Sequence, residues 1–349
     1  MQLNEFVRKA ATATYDSQRR FILEELNKHA LLKKNGGLEA FQNNKFARQL
    51  AGFSNIMDRY FDTEIQSKAI EIILASPVYQ RVEVEESKGD KNFDYKDQLV
   101  KELLKWFKEE FFTWVNKPNC KQCGNTNQDQ IFSLNSCAPY TAEHQYGRAS
   151  IIERYQCSNC NTHYEFPRYN NPKILLRTRE GRCGEWNNCF ILLLITLGLD
   201  ARYIWNAEDH VWCEYFSENL GRWIHLDSCE NSFDNPMLYN EGWGKKMSYT
   251  FAIHQYYMID ISEKYLSSKP EHQDKRLPMA KMARDDLKLW LNFFSFSKLK
   301  TLVDESDFLL VTSHLIRDFK SNVLSASLNS KPRVSGSDEW TKFRGENGA

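Results

Sequence analysis

Gly181-Arg182-Cys183-Gly184-Glu185-Trp186-Asn187 sets a cysteine at the mouth of an apolar run that continues to Leu197. The run is long enough for a helix and stops at Gly198, so Arg182 to Leu199 is predicted as a buried helix. A thiol at a helix N-terminus meets the positive end of the dipole and unpaired backbone N–H groups, both of which stabilise a thiolate. Gly181 and Gly184 beside it let backbone and substrate approach the sulfur closely. Cys189, deeper in the same run, has no such setting and reads as structural.

The chain after this helix turns β-like. Ala201 to Trp205, Val211 to Phe216 and Arg222 to Leu226 are aromatic and β-branched, and Gly221 suits the hairpin turn before the third. A cysteine nucleophile needs a base, and the base needs an orienting group. His210 opens the second strand and Asp227 ends the third, so antiparallel pairing would bring both beside Cys183. His225 is the rival base, two residues from Asp227 on the same strand face. A lone strand histidine is more often core, and His210 is preferred.

Upstream, Cys120-x-x-Cys123 and Cys157-x-x-Cys160 form two knuckles with residues 124–156 between them. Four thiolates presented in this way match a tetrahedral structural Zn2+, which leaves no open position for catalysis. Cys137 and His163 are nearby rival ligands, but neither completes a knuckle. Leu99, Leu103, Trp106, Phe107 and Phe111 recur at helical spacing between Tyr95 and Val115. Phe6 to Leu26 reads as an amphipathic helix, Glu85 to Asn92 as a charged loop, and Leu287 to Phe319 as helical. Beyond Ser330 the chain is Ser-, Gly- and charge-rich and is expected to be mobile.

Composition narrows the function. The 349 residues carry 46 basic and 46 acidic side chains, a balance that argues against nucleic acid as a partner. No apolar run approaches a membrane span, and the first residues lack a signal-peptide centre. Nine cysteines, four of them in Cys-x-x-Cys pairs, favour a reducing compartment, cytoplasmic or nuclear.

At these residues the sequence resembles the cytoplasmic peptide:N-glycanases of the transglutaminase-like superfamily. The matching text includes Phe111-Phe112-Thr113-Trp114-Val115-Asn116-Lys117-Pro118 before the first knuckle and Phe166-Pro167-Arg168-Tyr169-Asn170 after the second. Gly181 to Trp186, Asp209-His210-Val211-Trp212, His225-Leu226-Asp227-Ser228-Cys229-Glu230 and Glu241 to Tyr249 complete it, over about residues 95–260. The resemblance implies an α+β, transglutaminase-like (papain-like) core with a four-cysteine zinc lobe and flanking helices. It implies Cys183 as nucleophile, His210 as base and Asp227 as orienting carboxylate. Attack on the side-chain amide of a glycosylated asparagine would release a glycosylamine, and hydrolysis of the thioester would leave aspartate. Misfolded N-glycoproteins on their way to the proteasome would be the substrates.

Sugar rings stack on aromatic faces and hydrogen-bond through their hydroxyls. Trp186, Trp212, Trp223 and Trp243 are therefore candidate substrate-binding residues, with Glu185, Glu214 and Glu230 as polar partners. Trp114 is the candidate indole donor to the oxyanion. Compact relatives associate with a proteasome shuttle factor bearing a ubiquitin-like domain, which would make the N-terminal arm, residues 1–35, a docking element. Residues 36–330 would form the catalytic domain, with the zinc lobe at about 115–170 and a polar tail over 331–349. The cleft between the zinc lobe and the triad is expected to hold an extended glycopeptide. The same triad serves any acyl transfer, so a transglutaminase or cysteine protease is the rival enzyme. An inactive glycan-binding scaffold is the rival of another class, and an intact Cys183, His210 and Asp227 speak against it.

Overall fold

A computed structural model describes residues 12–24, 27–28, 43–88, 92–320, 333–344 and 346. After a helix over residues 12–24 come α1 (Lys45–Gly52), α2 (Thr63–Leu74), α3 (Val78–Ser87) and α4 (Tyr95–Trp106). α4 starts where Asp94 accepts from the Asp97 amide and Asp97 reaches back, a reciprocal cap. Its apolar stripe buries Leu99, Val100, Leu103, Leu104 and Trp106, and a single π-helical turn, Phe107–Phe111, ends it. That turn points Phe107 and Phe112 at the catalytic-helix region and leads into the short strand β1 (Thr113–Trp114). The segment Glu85 to Ser87, expected in a loop, is instead the last turn of α3.

Strands β2 (Ile131–Ser133), β3 (Ile152–Cys157) and β4 (His163–Pro167) make a small antiparallel sheet, and α5 (Ala142–Tyr146) lies in the connection between β2 and β3. This sheet carries the two cysteine knuckles. After α6 (Pro172–Thr178), strand β5 (Glu180–Gly181) pairs in parallel with β1, setting Thr113 opposite Glu180 and Trp114 opposite Gly181. The pairing delivers the chain into α7 (Cys183–Thr196).

Every residue of α7 from Glu185 to Leu194 is buried. A helix that is apolar all round must be covered all round, and α7 runs between the helical layer and the main sheet. Gly198, at φ +72°, ends it. The main sheet follows in the order β11-β10-β6-β7-β8-β9, antiparallel throughout. Its strands are β6 (Ala201–Asn206), β7 (His210–Ser217), β8 (Arg222–Asp227), β9 (Ser232–Phe233), β10 (Thr250–Ile253) and β11 (Met258–Asp260). The predicted strands and the Arg182–Leu199 helix thus coincide with β6, β7, β8 and α7 to within a few residues.

Strand alternation divides the sheet between two cores. Cys213, Tyr215, Ile224 and Leu226 join Phe190 and the other α7 residues on one face. Trp212, Phe216 and Trp223 lie on the other, in a second core with Leu299 and Phe308 of α8 (Arg284–Leu299) and α9 (Glu305–Lys320). The predicted stretch Leu287 to Phe319 is therefore two helices, broken before Asp304, whose carboxylate accepts from the Ser306 and Asp307 amides.

Residues 12–24 are helical and pack on this second core: Ile22 is buried, Tyr15 meets Phe308 edge-on at 5.1 Å, and Thr312 donates to Gln18. The remainder of the 1–35 arm lies outside the described residues. Of the tail expected to be mobile over 331–349, the described residues 333–344 and 346 do not stand clear of the molecule. Arg333, Ser335, Thr341 and Glu346 are buried, and α10 (Asp338–Phe343) is capped by Ser337. Low apolar content hid this, because the tail is held by charges and one tryptophan. Among the described residues, no helix is long and apolar enough to cross a membrane.

Candidate active site and metal centre

β1, β5, α7 and the β6–β7 turn converge on Cys183. Gly181 is required there by space, since a Cβ would lie 2.3 Å from the Glu185 Cβ. Gly184 is different: a Cβ there would meet nothing within 4 Å, so there is room beside the thiol. The first turn of α7 leaves backbone N–H groups, Cys183's among them, without intrahelical acceptors.

His210 begins β7 directly after Asp209, whose φ of +58° turns the hairpin. Its Nε2 lies 3.0 Å from Asp227 Oδ2. Its other nitrogen, Nδ1, is buried with no hydrogen-bond partner and remains for the Cys183 thiol. The two groups perturb each other in the directions catalysis needs. Burial pushes the thiol up, but His210, helped by Arg333, pulls it net below the ordinary cysteine value. Burial pushes His210 down, and Asp227 and the Cys183 sulfur together lift it net above the ordinary histidine value. A thiolate–imidazolium pair is favoured.

Asp227 ends β8 fully buried and fully satisfied. Oδ1 accepts from the Cys229 and Glu230 amides at 2.8 and 3.2 Å, and Oδ2 accepts from the Tyr239 hydroxyl at 2.9 Å as well as from His210. Burial opposes ionisation, but His210 and these donors hold the carboxyl far below its ordinary range. The rival base is occupied elsewhere. His225 accepts the Asn235 amide at Nδ1 and bonds the Tyr239 hydroxyl through Nε2 at 2.7 Å. Burial lowers it to about 4, so it is a neutral donor to Tyr239. Tyr239, the bridge between His225 and Asp227, carries no sign in the sequence, because its partners converge only in the fold.

The tryptophans and acids predicted to bind sugar are placed differently from expectation. Trp186, Trp212, Trp223 and Trp243 are at most 2% exposed. Trp186 donates to the Gly181 carbonyl and packs on Phe107 and Phe112. Trp212 and Trp223 sit in the second core, Trp223 with the Arg202 guanidinium 4.0 Å over its ring. Both faces of β7 and β8 are covered, so strand position alone does not expose them. Glu214 is buried against Arg202, Lys264 and Tyr265. Glu185 accepts the Arg182 amide at 2.9 Å and pairs with Arg168 at 2.7 Å. These groups are structural. Trp243 and Trp212 both lie against His210, with ring centroids 5.1 and 5.6 Å away. Trp114 stacks near Trp186 and donates to Asn116 Oδ1 at 2.9 Å, so its indole N–H is engaged away from Cys183. Glu230 accepts from two amides of the C-terminal segment.

The four knuckle cysteines come together as predicted from their spacing. Their sulfurs all lie within 4.8 Å of one another, with Cys120–Cys160 at 3.6 Å and Cys123–Cys157 at 3.7 Å, a cage that could hold a metal ion. Asn125 and Asn159 point amides at Cys157 and Cys123, as expected around thiolates. Cys137 and His163 are outside the cluster. A charge network joins this lobe to the catalytic helix: Glu153 on β3 binds Arg182 and Arg168, and Arg168 binds Glu185. Arg182 also donates to the Val115 and Asn116 carbonyls.

Comparison with known proteins agrees with this geometry. The transglutaminase-like superfamily profile matches residues 136–228, and the Rad4 transglutaminase-like domain matches residues 206–306. A Candida glabrata protein named peptide-N(4)-(N-acetyl-beta-glucosaminyl)asparagine amidase is 40% identical over 320 residues, covering 88% of this chain and 89% of that protein. The Saccharomyces cerevisiae protein of the same name is 38% identical over 344 residues, covering 94% and 93%. The mouse protein of that name is 36% identical over 83% of this chain but only 44% of its own length. Among solved structures, one titled as Rad4-Rad23 crosslinked to an undamaged DNA is a remote likeness. It has a TM-score of 0.42 and 11% identity, over 91% of this chain and 62% of that one.

Proposed function

The chain belongs to the peptide-N(4)-(N-acetyl-beta-glucosaminyl)asparagine amidase family, and from that premise we propose that Cys183, His210 and Asp227 are the nucleophile, base and orienting carboxylate of its reaction. The chain is a peptide:N-glycanase with a transglutaminase-like core. The observation that carries the assignment is the buried His210–Asp227 bond at 3.0 Å, with the free Nδ1 of His210 left to Cys183.

The Cys183 thiolate attacks the side-chain amide carbon of a glycosylated asparagine. The carbonyl oxygen becomes an oxyanion beside the first-turn amides of α7, which supply fixed donors. His210 then gives its Nδ1 proton to the departing nitrogen, and the glycosylamine leaves. A thioester to Cys183 remains. Water, deprotonated by His210, attacks that carbon, the thiolate departs, and the former asparagine is released as aspartate. Asp227 stays ionised and stabilises each imidazolium stage.

The cysteine cage fits Zn2+: tetrahedral sulfurs about 2.3 Å from zinc stand about 3.8 Å apart. Cys120, Cys123, Cys157 and Cys160 would hold that ion, whose role is to fix the lobe's fold. Misfolded N-glycoproteins destined for the proteasome are the proposed substrates. A ubiquitin-like-domain shuttle factor is the proposed partner, supported by the N-terminal helix, where Phe21 and Leu23 are 55% and 46% exposed. Reduced thiols in the cage suit the cytoplasm or nucleus.

Incubation with a denatured N-glycoprotein, followed by mass spectrometry of the modified site, tests the proposal. Glycan release with conversion of asparagine to aspartate is expected, and Cys183→Ala should abolish it while metal content and fold persist. Peptide-bond cleavage or amine incorporation in its place would overturn it.

A further inference from the structure

We propose that the described part of the C-terminal segment, residues 333–344 and 346, occupies the substrate cleft as an intramolecular competitor that an incoming glycopeptide must displace, an inference that rests on the function proposed above. The segment touches the chain beside both His210 and Asp227. Glu230, three residues past Asp227, accepts the consecutive Val334 and Ser335 amides at 2.8 and 2.9 Å. Two neighbouring main-chain N–H groups on one carboxylate are a contact that any extended peptide can make, whatever its side chains. At the other end, Arg344 binds the Asp209 carboxylate and carbonyl, both at 2.6 Å, next to His210.

Between these ends the segment covers the catalytic pair. The Arg333 guanidinium lies 4.5 Å from the Trp243 ring and 5.5 Å from that of Trp114, and it acts electrostatically on Cys183. Trp340 closes on Trp114, with centroids 5.9 Å apart. Glu346 is wholly buried among Arg333, Lys245 and Arg344, within electrostatic reach of His210. A polypeptide bearing a glycan at the Cys183 sulfur needs this same volume.

Two features mark the segment as displaceable. It adds nothing to the apolar cores, which contain no residue beyond Leu315, and its Val334 and Phe343 are 69% and 91% exposed. It also leaves polar groups unmet: Trp243 Nε1 and its own Arg333 Nη2 are buried without partners. A glycopeptide hydroxyl would satisfy the Trp243 indole and displacement would return Arg333 to water, so the substrate has the means to win. Once displaced, the segment uncovers Trp243 and Trp114 for stacking on a sugar.

The test deletes residues 333–349 and measures two things. The rate of Cys183 alkylation by iodoacetamide, read by peptide mapping, is compared at the alkaline plateau, where the thiol is ionised with or without Arg333. Steady-state deglycosylation of a denatured glycopeptide supplies kcat and KM. Several-fold faster alkylation and a lower KM are expected, and a synthetic 333–349 peptide added in trans should inhibit the shortened enzyme competitively. Unchanged alkylation, or a loss of kcat that the trans peptide restores, would overturn the proposal and make the segment a constitutive wall of the site. Should the deletion fail to fold, the full-length Trp340→Ala, Arg344→Ala double variant replaces it, with the same expected rise in alkylation. Faster alkylation without glycanase activity in any variant upholds the occupied cleft and sinks the amidase reading.

Discussion

Cys183, His210 and Asp227 could be read from sequence because each sits at the end of an element that periodicity defines. Tyr239 could not, yet it joins the rival histidine to the triad: His225 donates to its hydroxyl, which donates to Asp227. Tyr239→Phe removes a hydrogen bond to a charged acceptor, worth about 1.5–3 kcal/mol. A fall in kcat of roughly tenfold or more is expected. An Asp227 with fewer donors becomes a stronger acceptor for His210, so the alkaline limb of the kcat/KM profile should move up. A purely structural role for Tyr239 would leave that limb in place. In the unaltered enzyme the thiolate–imidazolium pair exists above the lowered thiol pKa and below the raised histidine pKa. The profile should therefore be bell-shaped, its acid limb below the ordinary cysteine value and its alkaline limb above the ordinary histidine value. Both limbs belong to the coupled pair. Trp212 and Trp223, read from sequence as sugar-binding, are buried for a physical reason. An aromatic on a strand signals burial against something, and here cores on both faces of β7 and β8 claimed Trp212 and Trp223 before any ligand could.

At the scale of elements, the metal lobe and the catalytic helix are coupled through charge. The Cys-x-x-Cys spacing was enough to assemble the cage from sequence, since two knuckles need only a hairpin to meet. The link from that cage to Cys183 was not visible: Glu153, Arg168, Arg182 and Glu185 are scattered over three elements and read individually as surface charges. Glu153 is held at about 2, burial being outweighed by Arg182, Tyr155 and Arg168, so it stays ionised at any working pH. Cys157→Ser should strip the metal, release β3 and with it the Glu153–Arg182 anchor, and misplace the start of α7. Metal analysis should show loss of the bound ion, and deglycosylation should fall at least tenfold although the triad is untouched. Glu153→Gln should reproduce the activity loss in part while keeping the metal. Retained full activity in a metal-free Cys157→Ser protein would uncouple the two elements.

Across the whole molecule, the second core is a layer behind α7 that reaches the triad at one end, where Tyr239 and Trp243 meet Asp227 and His210. The N-terminal helix rests on α9, and α9 is fastened to the sheet by Asp318 on Arg202 and by His314 on Asp200 at 2.6 Å. Asp200 also takes His254 at 2.9 Å, so one carboxylate ties β6's entrance, the β10–β11 turn and α9 together. Burial opposes its ionisation, but the two histidines hold it well below the ordinary aspartate value. Its contribution is therefore complete above the ordinary value and is lost only as pH falls through the depressed one. Asp200→Asn leaves both histidines facing a neutral amide and should destabilise the protein by about 3 kcal/mol, the scale for breaking a buried pair. Melting should begin lower, and limited proteolysis should cut within residues 12–24 sooner, because their support is α9. Cys183 is carried by α7 in the first layer, and Asp200 bonds His254 and His314 rather than Tyr239 or Trp243 beside the triad, so the Cys183 alkylation rate and the enzyme's kcat should hold. If both fell together with the melting temperature, the two layers would be one cooperative unit, and a partner docked on the N-terminal helix would then reach the active site through Asp200.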